Sequence, residues 1–479
     1  MSNIKRNFAY NLILTIAGYV LPLLTYPYIS RVLGVVNIGL VNYVDSIINY
    51  FVLFAMLGIS SLGVREIARV KDDLIKCKEV FSTLLGVNVV LTLFSVVLLL
   101  CMTYMVEYFH PYREYLLIGI MKLVFSAFLL EWFFQGMSDF KFITIRSLII
   151  RALYVILVFL FVRAKDDLGI YYFLTVLTIV INAVVNFWYS KRYVSFSFKF
   201  LNLRPYLLPV ISYGFYRILT SMYTTFNVTY LGSVSDVAQV GYFVTATKLH
   251  AILMGIFTAF TTVMVPHVSE LLAKSEYGKL RGIADKTFSI IFMISIPIIV
   301  LSYFYAPLII KLIAGFGYEG AIIPFRIVML LLLVIAMEQI IIQQFLMAIR
   351  DSKCIVWLSS IGALVGIIFN ILLTARIGSV GAAISWVASE MMILLVSLFY
   401  YNKYFKMKIP LKSFLSNLVV SIPYILICLL FSSENMIVNA SLSILFSSLW
   451  FFISNIYIIK NEHLILFVQS VASKFSNKI

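Results

Sequence analysis

The chain is expected to be an all-α, polytopic membrane protein of about 14 transmembrane helices, in two pseudo-symmetric six-helix lobes followed by two further helices. Three observations predict this. Of 479 residues, 62% are hydrophobic and only 12% charged, with a mean hydropathy of +1.02, a composition outside that of soluble globular domains. The apolar residues come in runs of about 20, the length that crosses the hydrocarbon core as a helix. Lysine and arginine concentrate in alternate connections between those runs, as the positive-inside rule requires.

The first run, 8–30, follows Lys5 and Arg6 as a secretion signal would, but it is too long and has no small-x-small cleavage site. It is expected to remain as the first helix. A basic stretch, 63–79, separates the second run (36–62) from the third (80–103). Runs at 116–137, 147–162 and 170–190 complete a first lobe (1–190), the fifth being the weakest because Arg146 and Arg151 shorten its apolar core. A basic cytoplasmic linker (191–205) leads to runs at 206–231, 237–262, 287–306, 321–347, 354–374 and 378–400, the second lobe (206–400). Runs at 412–432 and 436–459 form a final pair (401–459). The tail, 460–479, spaces Leu464, Phe467, Val468, Val471 and Phe475 as a helix lying on the inner surface would.

An even number of crossings places both termini on one side, which the Lys/Arg count identifies as the cytoplasm. The outer side then keeps only Arg31, Arg113, Arg163, Lys165, Lys311 and Arg376. The net charge of +16 is thus a consequence of topology, and no nucleic-acid partner is expected. No connection is long enough for a folded soluble domain. The four cysteines, Cys77, Cys101, Cys354 and Cys428, lack metal-ligand spacing and are expected as free thiols.

A weak internal echo sets the lobes in register. Leu33-Gly34 followed by Ile38-Gly39 recurs as Leu231-Gly232 followed by Val240-Gly241; Lys141 and Leu168-Gly169 are matched by Lys353 and Ile377-Gly378. Lobes of six helices enter the membrane the same way, so the repeats are parallel and a site between them is expected near the midplane.

Nine ionisable residues lie inside the apolar runs: Asp45, Lys122, Glu131, Arg151, Arg217, Lys248, Arg326, Glu338 and Glu390. Each costs about 2.5–3.5 kcal/mol at the centre of a lone helix, so they are expected to face one another or water. Five are cations, which points to a pathway for something anionic. Candidate substrate contacts are Arg217, Lys248, Asp45, Arg151, Arg326 and Lys122; candidate ion-coupling groups are Glu390, Glu338, Glu131 and Asp45. For each the alternative is a structural interhelical ion pair or hydrogen bond. Asn42, Asp45, Ser46 and Asn49 form one polar stripe on the second helix. Arg217, Ser221 and Thr224 share a face of the seventh, and the repeat sets Lys248 opposite Asp45. Lys122 and Glu131, nine residues apart on one helix, would point to opposite faces. Gly362-x-x-x-Gly366 suits close helix packing. No phosphate loop, H-E-x-x-H or Gly-x-Ser-x-Gly motif occurs, so no enzyme activity, cofactor or metal is expected, and energy would have to come from an ion gradient or product removal.

Tyr26-Pro27-Tyr28-Ile29-Ser30-Arg31-Val32-Leu33-Gly34, Leu57-Gly58-Ile59 leading to Gly63-Val64-Arg65-Glu66-Ile67-Ala68-Arg69, and Asn370 with Gly378 and Gly381 resemble the polysaccharide transporter branch of the multidrug/oligosaccharidyl-lipid/polysaccharide (MOP) exporter superfamily, the Wzx-type O-antigen flippases. The resemblance covers about the first 400 residues. It implies a bacterial inner-membrane protein that moves undecaprenyl-diphosphate-linked oligosaccharide between leaflets by alternating access through a cation-lined cavity, alongside a polysaccharide polymerase and chain-length machinery. Arg65 and Arg69 match the family pattern in a loop where topology alone would put basic residues. Two rival readings stay open: an ion-coupled efflux carrier for small cations, with a cavity dominated by Asp45, Glu131, Glu338 and Glu390, and a membrane polymerase or ligase, which would want a large outer loop.

Overall fold

The computed structural model describes residues 3–202, 204–221, 225–347, 352–431 and 436–459, and all regular structure among them is helical. The tail expected to lie on the membrane surface falls outside the described residues. The first part of the chain forms α1 (Asn3–Met56), α2 (Ile59–Val70), α3 (Leu74–Met105), α4 (Arg113–Ser126), α5 (Glu131–Gly136), α6 (Phe140–Phe161) and α7 (Leu168–Ser190). Next come α8 (Arg204–Ser221), α9 (Thr225–Val234), α10 (Val237–Ala273), α11 (Tyr277–Phe304), α12 (Ala306–Ile313), α13 (Ile322–Val328) and α14 (Leu331–Glu338), the last continuing as a π segment, Gln339–Leu346. α15 (Ser352–Phe369), α16 (Ala375–Phe405), α17 (Leu411–Leu430) and α18 (Met436–Ile453) complete the bundle.

Eleven stretches are long and apolar enough to cross a bilayer. Two of these hold two crossings each, because glycines adopting left-handed φ values, which are costly for other residues, turn the chain: Gly34 (φ 77°) within α1 and Gly378 (φ 56°) near the start of α16. Counted so, the described stretches hold thirteen crossings, and α8 and α9 lie where the seventh is expected, on either side of residues 222–224, which fall outside the described residues.

The fourth crossing differs from expectation. α4 stops at Ser126, Leu130 takes a left-handed φ of 47°, and α5 restarts at Glu131. Lys122 and Glu131 therefore sit on separate helices, and the opposite-face argument for them fails.

α3 shows how a lipid-facing helix sorts its side chains. It buries Ser82, Thr83, Asn88, Thr92, Ser95 and Thr103 together with Phe81, Leu84 and Leu99, while exposing Val90, Leu93, Phe94, Val97 and Leu98. Lipid tails accept the exposed apolar side chains, and buried polar ones find partners on other segments, as Asn88 does at the Ala127 carbonyl, or on their own helix, as Ser95 and Thr103 do. Ahead of α3, Asp73 caps the helix by accepting from the Ile75 and Lys76 amides, both at 3.1 Å; the Lys76 amide, with its ammonium, holds the Asp73 carboxyl below the usual range.

The two parts of the chain meet at glycines. A Cβ on Gly39 would fall 1.8 Å from the Val237 carbonyl oxygen and 2.9 Å from the Gly241 amide; one on Gly241 would fall 2.2 Å from the Val35 carbonyl oxygen. α1 and α10 thus cross backbone to backbone through the paired glycines of the sequence echo. At the basic end of the bundle the pattern recurs: a Cβ on Gly58 would lie 2.8 Å from the Gly214 amide and 2.4 Å from Tyr213 Cβ. α17 docks on α11 through Ser413–Ser289 (2.9 Å), and α18 packs on α17 and accepts at Ser443 from Tyr305, just beyond α11 (2.6 Å).

Candidate functional site

The Tyr26–Gly34 block turns out to be a structural hub. Tyr26 shares a 2.6 Å hydrogen bond with Thr245 on α10, and Tyr28 donates to the Val162 carbonyl after α6 (2.7 Å). Arg31 donates to the Leu312 carbonyl, and Tyr318 donates to the Ser30 carbonyl at 3.0 Å. One turn and a half of α1 therefore ties both parts of the chain together before Gly34 reverses it.

Directly beneath this hub lies a cavity of about 360 Å³, with Tyr19, Pro22 and Tyr26 of α1 on one wall, Tyr154 and Tyr171 behind, and Lys248 of α10 opposite. The Lys248 ammonium stands 4.8 Å from the Tyr26 ring centroid, a cation–π contact. Among the described residues no carboxylate lies within ion-pair distance of it, and the Asp45 carboxylate is paired with Lys122 instead. Arg151 of α6 reaches the same cavity wall from outside: its Nη1 lies 3.2 Å from where a Gly18 Cβ would be and 3.4 Å from the Leu14 carbonyl oxygen. One ammonium group and four phenol rings thus line one hollow, and the Arg151 guanidinium lies behind its Gly18 wall.

The remaining candidates divide into local groups. Asp45 and Lys122 form a 2.6 Å ion pair; Lys122 also donates to Asn49 (2.7 Å), Asn49 to Asp45 (3.2 Å) and Tyr172 to Asp45 (3.4 Å). The polar stripe on α1 therefore closes on α4 and α7, and Ser46 accepts from Thr229 of α9 at 2.9 Å. Glu131 pairs with Arg146 (2.9 Å), a residue read from the sequence as part of a cytoplasmic connection but here only 3% exposed at its side chain. It was missed because its position at the end of an apolar run looked like an interface; Arg146 also donates to Asn186. Arg326 lies away from the hollow, donating to the Tyr303 carbonyl (2.9 Å) and standing over its ring. The structure does not bring it to the cavity, because its guanidinium is held at Tyr303. The Arg217 side chain lies outside the described residues. Glu338 of α14 and Glu390 of α16 are buried and do not line the cavity.

A bent bundle of membrane-crossing helices with a cationic, aromatic hollow between its parts has the form of a membrane transporter. The chain belongs to the polysaccharide biosynthesis protein family, whose description matches residues 4–272. It is 25% identical over 404 residues to a protein of Escherichia coli (strain K12) named "Putative O-antigen transporter", covering 82% of this chain and 95% of that one. A protein of the same name from Shigella dysenteriae is 23% identical over 400 residues, covering 82% and 99%. Among solved structures, lipid II flippase MurJ in an inward closed conformation superposes with a TM-score of 0.77 at 15% identity, covering 94% of this chain and 99% of that one. An inward-facing multidrug resistance MATE transporter of the MOP superfamily gives 0.63 at 17%, covering 84% and 94%.

Proposed function

We propose that this flippase of polysaccharide biosynthesis moves an oligosaccharide linked to undecaprenyl diphosphate across the bacterial inner membrane, with both termini in the cytoplasm. One observation carries the reading: Lys248, with no contacting carboxylate among the described residues, faces a tyrosine-lined cavity that Arg151 abuts. A diphosphate leaving water needs charge-assisted donors, and phenol rings offer sugars flat apolar faces with a hydroxyl at the edge.

The cavity volume of about 360 Å³ is near the lower end of the range for small-ligand pockets, roughly 300–1,000 Å³. An oligosaccharide therefore requires the two lobes to part. The glycine crossings supply the two gates: Gly39–Gly241 on the outer side and Gly58–Gly214 on the basic, cytoplasmic side. Alternating access follows if one crossing opens while the other stays packed. Lys122 and Asp45, mutually neutralised, organise the wall rather than bind the head group.

In proteoliposomes carrying fluorescent polyisoprenyl-diphosphate oligosaccharide, the wild-type chain should move the label between leaflets. Lys248→Glu should abolish movement while inserting normally. Unimpaired movement by Lys248→Glu would refute the assignment; a cell lacking the protein that becomes drug-sensitive, with no lipid-linked sugar accumulating, would favour a carrier of small cations instead.

A further inference from the structure

Glu338 and Glu390 form an acid pair that the substrate cavity does not use. Each is only 6% exposed, and the helices that carry them, α14 and α16, pack against each other. Trp386, one turn before Glu390, donates its Nε1–H to Glu390 Oε1 at 2.9 Å. Glu338 Oε1 has no donor among the described residues. Two negative charges about 4 Å apart repel by about 4 kcal/mol even at an effective dielectric constant of about 20, and aspartic-protease carboxyls in the same predicament share a proton.

Other buried polar groups on the elements packed against α14 and α16 also have no partner among the described residues. His250 of α10 is 2% exposed, its Nε2 is unbonded, and its ring stands edge-on to Trp386 at 5.5 Å. Gln344, fully buried in the π segment that follows Glu338, has neither amide atom bonded. π segments interrupt helices most often at functional sites.

The other charged groups on neighbouring elements are engaged elsewhere. Lys248 of α10 faces the Tyr26 cavity and Arg326 of α13 is held at Tyr303. Arg281, Asp285 and Lys286 lie in the first three turns of α11, toward the basic end.

We propose that Glu338 and Glu390 are a proton-binding site in which the two carboxyl groups hold one proton, and that its uptake and release drive the transport cycle. This rests on the transport reading above. A proton fits better than a metal ion: Trp386 already occupies one Glu390 oxygen as a donor, and no cluster of three or more His, Cys, Asp or Glu suited to a metal occurs among the described residues. The link to the cavity is α10 itself. Lys248 and His250 are two residues, about 200°, apart on that helix, so one faces the substrate hollow and the other faces Trp386. A change of charge at the pair shifts Trp386, and α10 transmits the movement to Lys248 as a rigid element.

The test is labelling of the purified full chain with dicyclohexylcarbodiimide, which reacts with protonated carboxyls in apolar surroundings, read by peptide mass spectrometry. An adduct on Glu338 or Glu390 is expected, with a yield that falls as pH rises, is unchanged by sodium, and disappears in the Glu338→Gln/Glu390→Gln double variant. No adduct, or protection by sodium, overturns the site. In cells, Glu390→Gln should reach wild-type membrane levels and lose at least tenfold of surface polysaccharide; full export by both single variants overturns the role in the cycle. Labelling is independent of the substrate, so a labelled chain that fails to bind polyisoprenyl diphosphate refutes the transport reading and not the proton site.

Discussion

Gly39 and Gly241 touch through their backbones, so closely that a methyl group on either would collide with a carbonyl oxygen of the facing helix, that of Val237 or of Val35. No side-chain rotation relieves such a clash; the helices themselves must separate.

Gly39→Val is therefore expected to hold the outer gate apart. Overpacking typically costs about 1–3 kcal/mol, so the melting temperature in detergent should fall. Labelling of a Lys248→Cys thiol by an impermeant reagent from the outer side should rise severalfold. Unchanged labelling would show that this crossing is not a gate.

At the basic end Arg65 donates to the Tyr213 hydroxyl at 2.8 Å and stands over its ring, while Glu66 holds Arg65 and Arg69. This latch is exposed, and exposed ion pairs contribute about 0–1 kcal/mol. Tyr213→Phe should leave thermal stability within about 0.5 kcal/mol of wild type yet increase cytoplasmic-side accessibility of the cavity, read by the same thiol probe in inside-out vesicles. A large loss of stability with no change in accessibility would make the contact purely structural.

The Asp45–Lys122 pair is largely buried, and removing one member leaves the other without its countercharge. Lys122→Met should destabilise by a few kcal/mol, toward the 3–5 kcal/mol typical of a broken buried pair. The Asp45→Asn/Lys122→Met double variant should recover much of that. Strict additivity in the double-mutant cycle would show that the pair has no coupling.

Much of the fold could be read because bilayer crossing demands long apolar runs, and because Gly34 and Gly378 stand where the chain must reverse. The break at Leu130 was hidden, since the runs on either side of it join into one apolar window. Arg146 was hidden for a related reason: hydropathy reports where a helix enters lipid, and cannot distinguish an interfacial arginine from one folded back onto Glu131 and Asn186. Helical periodicity placed Asp45 and Asn49 on one face, but their partner, Lys122, is 77 positions beyond Asp45, a separation about which local pattern is silent. Nor did spacing link Trp386 and His250 to Glu390. The tyrosines around Lys248 come from α1, α6 and α7, and only the folded chain gathers them.

The central claim, that the Lys248 cavity receives a diphosphate, is tested most directly by native mass spectrometry of the purified chain titrated with undecaprenyl diphosphate. Charge-assisted hydrogen bonds contribute about 1.5–3 kcal/mol each, so Lys248→Gln and Arg151→Gln should each weaken binding by about 10-fold or more, while Arg326→Gln, whose side chain is held at Tyr303, should bind as wild type does. Equal affinity in all four proteins would contradict the account.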